Sequence, residues 1–232
     1  MQPDRCRLLV IALVGVSVAL ARAQGGAVQE WTFSTLDGVH AANGGKVELV
    51  TYRGRRAVHV IASPGHDSPS DNVTAVLGDA DFANGTIEAD VAGAPRAGAP
   101  GDSRGFIGMA LRVQPGGQRY ENFYLRPTNG RADDQLRRNH TVQYTSEPEF
   151  PWQRLREEAP GVYESYVDLE PGVWTPMRIV VSGRRGELYV NGAAQPCLIV
   201  NDLKLGDTHG RVALWAHSST DAYFSRVIIR KK

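Results

Sequence analysis

The chain is poor in cysteine, in helical periodicity and in net charge, and each shortage excludes something. It has two cysteines, Cys6 and Cys197. Cys6 falls in a leader-like segment, so the remainder keeps Cys197 only and has no intramolecular disulfide to hold it. Cys197 lies in QPCLIV, between a turn and an apolar run. It reads as a small buried hydrophobe and not as a catalytic thiol, because no neighbour would lower its pKa. No stretch keeps an i, i+3, i+4, i+7 apolar pattern beyond about two turns, which excludes a helical bundle. Twenty-six Lys and Arg face 25 Asp and Glu, a formal charge of +1. There is no basic tail or stripe, and so no nucleic-acid partner is expected. The basic residues are overwhelmingly arginine. The six histidines are scattered without an i, i+2 or i, i+4 pair, so no metal site of the zinc type is expected.

The leader is legible. Arg5 and Arg7 precede the apolar run Leu8–Leu20, and Ala21-Arg22-Ala23 fits a small-x-small cleavage site. The run is shorter than the roughly 20 residues of a membrane span. The expectation is a signal peptide over 1–23 and a single domain over 24–232, secreted or periplasmic, with no membrane contact after cleavage. No cysteine stands at the cleavage site to carry a lipid anchor.

Beyond the leader, short strand signals recur between Gly, Pro, Asn and Asp. They include Val28–Ser34, Lys46–Tyr52, Arg56–Ala62, Gly85–Ala92, Gly105–Val113, Tyr120–Arg126, His140–Ser146, Trp174–Ser182, Gly210–Ala216 and Ala222–Arg230. Many short strands with Gly/Pro-rich turns predict an all-β fold, a two-sheet antiparallel β-sandwich of the jelly-roll type. Pro115-Gly116-Gly117 marks a hairpin, and Asn191-Gly192 another. Ala92–Ser103 is a Pro/Gly/Ala-rich surface loop. No domain boundary or internal repeat is visible.

Certain segments carry a resemblance: FANGTIEADV, GFIGMALRVQ with YENFYLRP, WTPMRIVVSGRRGELYVNG and the closing GRVALWAHSSTDAYFSRVIIR. Together they resemble the concanavalin A-like lectin/glucanase superfamily, in particular bacterial laminin-G-like and 3-keto-disaccharide hydrolase-like jelly rolls. The resemblance implies carbohydrate chemistry in a concave-sheet cleft. The superfamily mixes hydrolases, lyases and plain binding modules, so the residues themselves must discriminate.

Three constellations of residues could carry chemistry. Glucanase-type members carry E-x-D-x-x-E on one strand, which puts the acids on one face. Here Glu88-Ala89-Asp90 lacks the third acid, and both carboxylates read as solvated strand residues. A lyase needs Arg with Asn or Gln to neutralise a uronate, and His or Tyr as base and acid. Arg138, Asn139, His140, Gln143 and Tyr144 supply those types, but alternation splits them: Arg138, His140 and Tyr144 on one face, Asn139, Thr141 and Gln143 on the other. A binding cleft needs aromatic rings and planar polar groups. Tyr120, Asn122, Tyr124 and Arg126 share one face of their strand. Arg112 is expected to point with Ala110 and Gly108, where small neighbours leave room. Trp215 and His217 alternate away from the core row, and Trp152 would close over the face.

The reading is an exported protein acting on or binding carbohydrate, with glycoside hydrolase or polysaccharide lyase placed ahead of a lectin-like binding module. His140 and Tyr144 are the catalytic candidates. Arg112, Tyr120, Asn122, Tyr124, Arg126, Arg138, Gln143, Trp152, Trp215 and His217 would hold the sugar. No cofactor is expected, although the resemblance leaves calcium open, with Asp133-Asp134 or Asn201-Asp202 as ligands. Asn72, Asn84 and Asn139 each open an N-glycosylation sequon, and a glycan on Asn139 would block the proposed site.

Overall fold

The structure, a computed structural model, describes residues 27–66, 68 and 71–232. The expected signal peptide and Cys6 lie outside these residues. In chain order the strands are β1 (Val28–Trp31), β2 (Val39–Ala42), β3 (Gly45–Tyr52), β4 (Arg55–Ala62), β5 (Asn72–Leu77), β6 (Gly85–Pro95), β7 (Ile107–Val113), β8 (Tyr120–Leu125), β9 (Val142–Glu147), β10 (Glu164–Ser165), β11 (Thr175–Ser182), β12 (Arg185–Val190), β13 (Leu198–Val200), β14 (Arg211–His217) and β15 (Thr220–Lys231). Two short α-helices, α1 (Gln135–Asn139) and α2 (Trp152–Glu158), and a 3-10 turn at Pro127–Asn129 interrupt them.

The strands form two antiparallel sheets. One has eight strands in the order β13-β12-β11-β6-β15-β4-β3, with β1 also paired to β15. The other has seven, ordered β10-β9-β8-β7-β14-β5-β2. Strands distant in sequence sit side by side, as β14 does between β5 and β7, so the sandwich is held by non-local pairing. Its core is where the inner rows meet. Val58, Val60, Ile87, Val91, Ile179 and Phe224 come from the first sheet, and Val73, Leu77, Ile107, Met109, Phe123 and Leu214 from the second, all buried in one cluster. Each such side chain contributes about 1.5–3 kcal/mol of burial, which allows the fold to stand without disulfides. Cys197 packs against this cluster half-buried, and burial pushes its thiol up to about 11.

Two bulges break the alternation that a sequence pattern assumes. On β15 the register to β6 shifts between Phe224 and Arg226, so Phe224 and Val227 both face the core. On β7 the register to β14 shifts so that Arg211 faces Val113 while Ala213 faces Ala110. The extra residue lies on β7, and Arg112 adopts a left-handed φ of 53° there.

Neither α1, of five residues, nor α2, of seven, is long enough to show a helical period in the sequence. α1 spans five residues and is capped by Asp134, whose Oδ1 accepts from Arg137 N at 2.9 Å. The expected strand His140–Ser146 therefore begins later, at Val142, and His140 is the C-terminal cap of α1.

Candidate functional site

The outer face of the seven-stranded sheet is unusual for a strand face turned away from the core. It carries its own apolar cluster of Ala110, Val113, Tyr120, Tyr124, Ala213 and Trp215, with Phe106 and Val76 against it. Register explains why. Gln143, Tyr124, Gly108, Trp215 and Thr74 align across β9, β8, β7, β14 and β5. Gly108 separates the two large aromatics, and a Cβ there would come within 2.2 Å of Phe123 O and 2.6 Å of Tyr124 Cβ. With no side chain between them, the Tyr124 and Trp215 rings meet at 4.8 Å between centroids. Trp215 Nε1 donates to Tyr120 Oη at 3.2 Å. The rings form a nearly closed floor, with Tyr124 3% and Trp215 4% exposed.

Above this floor runs a groove made of three adjoining depressions. The middle one encloses about 360 Å³ between Phe106, Tyr124, Glu147, Trp152, Trp215 and His217. It shares Asp102, Phe106 and Trp152 with a basin of about 460 Å³ that is lined by Arg104, Arg126, Arg137, His140 and Arg156. In the other direction it shares Asn72 and Glu147 with a depression bordered by Asn43, His66, Gln118 and Tyr120. These volumes are in the range of small-ligand sites.

Arg126 is the pivot of the arginine-rich end. It is 5% exposed. Nη1 donates to Glu164 Oε2 at 3.1 Å, and Nη2 donates to Tyr124 Oη and to Gln143 Oε1, both at 2.9 Å. Glu164, buried on β10, also receives Arg156 Nε at 2.8 Å and Nη2 at 2.5 Å. Burial works to raise the Glu164 pKa, but the two arginines outweigh it and hold the carboxyl below its usual value. His140 Nε2 lies 3.8 Å from Glu164 Oε1. Burial, aided by Arg156 and Arg126, lowers the His140 pKa against the pull of Glu164. Trp152 is 39% exposed on α2, with its ring 4.7 Å from the Arg156 guanidinium and 5.9 Å from that of Arg126. Burial raises the pKa of Glu147 in the middle depression, and Glu149 adds to the effect.

The structure brings Tyr120, Tyr124, Arg126, His140, Trp152, Trp215 and His217 to this one groove. Four other residues are placed differently from the sequence expectation. Arg112 does not point outward. The β7 bulge turns it to the inner side, where Nε and Nη2 donate to Ala83 O at 3.2 and 2.8 Å, Nη1 to Gly206 O at 2.5 Å and Nη2 to Gly183 O at 2.7 Å. Tyr144 is not beside His140. It shares the core face with Val142, donates to Glu121 Oε2 and accepts from Lys204 N. Arg138 sits on α1, bonded to Tyr166 Oη at 2.9 Å, and lines none of the three depressions. Gln143 is fully buried and supports Arg126 from below, with Nε2 donating to Tyr144 O and Tyr163 O. Asn122 does lie on the outer face, opposite Ala110 and Thr145, but is fully buried with neither polar side-chain atom bonded to protein.

Sequence reading missed Glu164, Arg104, Arg137 and Arg156. No spacing in the sequence joins them, and β10, which carries Glu164, is only two residues long. Phe106 was findable, since alternation puts it on the face of Gly108 and Ala110. Of the sequon asparagines, Asn139 is exposed, Asn72 lines the groove, and Asn84 Oδ1 accepts from Gly183 N at 2.6 Å.

Two of the residues open to calcium already have protein partners. Asp134 caps α1, and Asp202 accepts from Lys204 Nζ at 2.5 Å and Tyr163 Oη at 2.8 Å. Among the described residues no three His, Cys, Asp or Glu gather to hold a metal. A further cavity of about 260 Å³ lies on the outer face of the eight-stranded sheet. Its charges are already answered: Glu88 by Arg230, Asp90 by Arg55, Arg226 by Glu30, and Arg178 by the Tyr189 ring at 3.8 Å.

Comparison with solved structures defines the class: the sandwich has the concanavalin A-like, galectin-like jelly-roll fold. The carbohydrate-binding module CBM66 from Bacillus subtilis superposes with a TM-score of 0.55 at 12% identity, over 81% of this chain and 92% of that one. A Bacillus subtilis protein of unknown function with a galectin-like fold gives 0.59 at 11% identity, over 90% and 97%. The exoplasmic/lumenal domain of VIP36, in a form bound to Ca2+ and Man3GlcNAc, gives 0.53 at 11% identity, over 85% of each chain. These similarities establish the fold. No protein-family model and no curated protein sequence matches the chain.

Proposed function

We propose that this protein binds carbohydrate in the groove on the outer face of its seven-stranded sheet, without catalysis. The observation that carries the proposal is the groove itself: an elongated channel with an aromatic floor, the exposed Trp152 ring on one wall and directional polar groups along its length. Sugars are held in this way, by rings against their apolar faces and planar groups on their hydroxyls. The carbohydrate-binding neighbours of the fold support the reading. The acid/base pair that favoured an enzyme is split, since Tyr144 is spent on Glu121 inside the core while His140 borders the groove. The binding module, second in the sequence reading, thus becomes the first.

The test is a panel of soluble polysaccharides, read by retardation in affinity gels and by assays for new reducing ends and for unsaturated uronic products. Retardation without product supports the proposal. Product formation, or no retardation by any polysaccharide, overturns it.

A further inference from the structure

We infer that the arginine-rich basin receives an acidic group of the saccharide, a carboxylate or sulfate, so that the ligand is an anionic glycan. This rests on the carbohydrate-binding reading above and specifies its ligand.

The arginines of the basin fall into two kinds. Arg126 and Arg156 are neutralised by Glu164. Arg104 and Arg137 are not: no described carboxylate lies within 4.0 Å of either. Arg104 donates only to the backbone oxygens of Gly101 and Ser103, at 3.2 and 3.3 Å. Arg137 donates to Asn129 Oδ1 at 2.9 Å and to Thr128 Oγ1 at 3.1 Å, with a weaker contact to Thr128 O. Both are half-buried and line the same depression. The carboxylates that border it, Asp102 and Asp134, are exposed, and Asp134 is committed to its helix cap.

Two partly desolvated guanidiniums facing one cavity repel each other. Burial depresses the Arg104 pKa, and the charges of Arg137 and Arg126 depress it further while Asp102 opposes. Fixed neutral acceptors hold both side chains in place without cancelling their charge. Such an arrangement is preorganised for a planar or tetrahedral anion, which guanidinium groups bind through paired N–H donors. The basin opens into the aromatic channel through Phe106 and Trp152. An acidic substituent in the basin would therefore leave the sugar ring over the channel.

The experiment measures binding of the intact protein to polygalacturonate, dextran sulfate, dextran and neutral galactan, in low and high salt. Wild type is expected to bind one or both acidic polymers at least tenfold more tightly than the neutral ones, with an affinity that falls as salt rises. Preference for polygalacturonate assigns a carboxylate, and preference for dextran sulfate assigns a sulfate. Arg104→Gln and Arg137→Gln are each expected to weaken acidic binding roughly tenfold, with melting temperatures unchanged. Arg178→Gln, on the opposite sheet, should change neither. Neutral binding without acidic preference overturns the inference and leaves the carbohydrate reading standing. Undiminished acidic binding by a folded Arg104→Gln/Arg137→Gln double variant overturns the placement. Absence of all binding overturns both readings.

Discussion

Replacing Arg112 with methionine separates two roles for one residue. As a ligand contact, Arg112 would affect sugar binding and little else. As found, it is fully buried and donates to three backbone carbonyls, those of Ala83, Gly183 and Gly206. The nearest carboxylate oxygen, of Asp207, stands 3.9 Å away. Methionine fills similar space and offers no donor. Each orphaned carbonyl costs about 1–3 kcal/mol. Gly183 and Gly206 lie in turns that water can reach, so the low end applies and the loss comes to about 3–5 kcal/mol. Relief from holding a buried guanidinium returns about 1–2 kcal/mol, leaving a net destabilisation of roughly 1–4 kcal/mol. At about 2–4 °C per kcal/mol for a chain of this size, the melting temperature should fall by about 2–16 °C. Urea unfolding followed by tryptophan fluorescence reads the stability, and affinity gels read the binding. Arg112→Lys should rescue only partly, because one ammonium does not span three carbonyls. A variant of unchanged stability with lost polysaccharide binding would refute this reasoning and return Arg112 to the ligand site.

Tyr144→Phe should cost about 1–3 kcal/mol, because Glu121 and Lys204 N lose a buried partner, and polysaccharide retention by the folded variant should not change. Glu164→Gln should cost about 3 kcal/mol by leaving Arg126 buried without its counter-charge. The Glu164 carboxyl is held below its unfolded value, so its stabilisation is complete above the unfolded carboxylate pKa and is lost as pH falls through the folded one. The urea midpoint of the wild type should therefore drop below about pH 4.5 more steeply than that of the Gln variant. Trp152→Ala should weaken saccharide binding about tenfold with little change in melting temperature, whereas Trp215→Ala should destabilise by about 3–5 kcal/mol because that ring is buried in the floor. Equal stability losses in the two tryptophan variants would contradict the distinction between wall and floor.

Much of the sandwich was legible from short-range pattern. Alternation along Tyr120–Arg126 put Tyr120, Asn122, Tyr124 and Arg126 on one face, and alternation along β14 put Trp215 and His217 on one face. A period of two in an intact strand has no other solution. The small residues Gly108 and Ala110 were read as room for Arg112, but the space beside Gly108 is taken by the Tyr124 and Trp215 rings. The failures fall where the chain leaves the regular strand. Arg112 sits at a bulge in a left-handed conformation, and one extra residue reverses every side chain beyond it. His140 belongs to the end of a helix too short to show a period. Tyr144 kept its strand face, but that face is the core, and its hydroxyl is satisfied by Glu121 from a neighbouring strand.

The sequence by itself determined the strand-rich sandwich, because hydrophobic alternation and turn chemistry act over a few residues. It also determined which residue types were available to line a groove. The tertiary structure decided which of them meet. Arg104 and Arg137 flank one basin only because the loop before β7 and helix α1 converge there, and Arg126 is held by Glu164, 38 residues away in the chain. Charge is felt across space and not along the backbone, so a cluster of guanidiniums drawn from separate segments leaves no local trace. Whether a polar side chain faces a ligand or the core depends in turn on bulges and pairings that no single strand records.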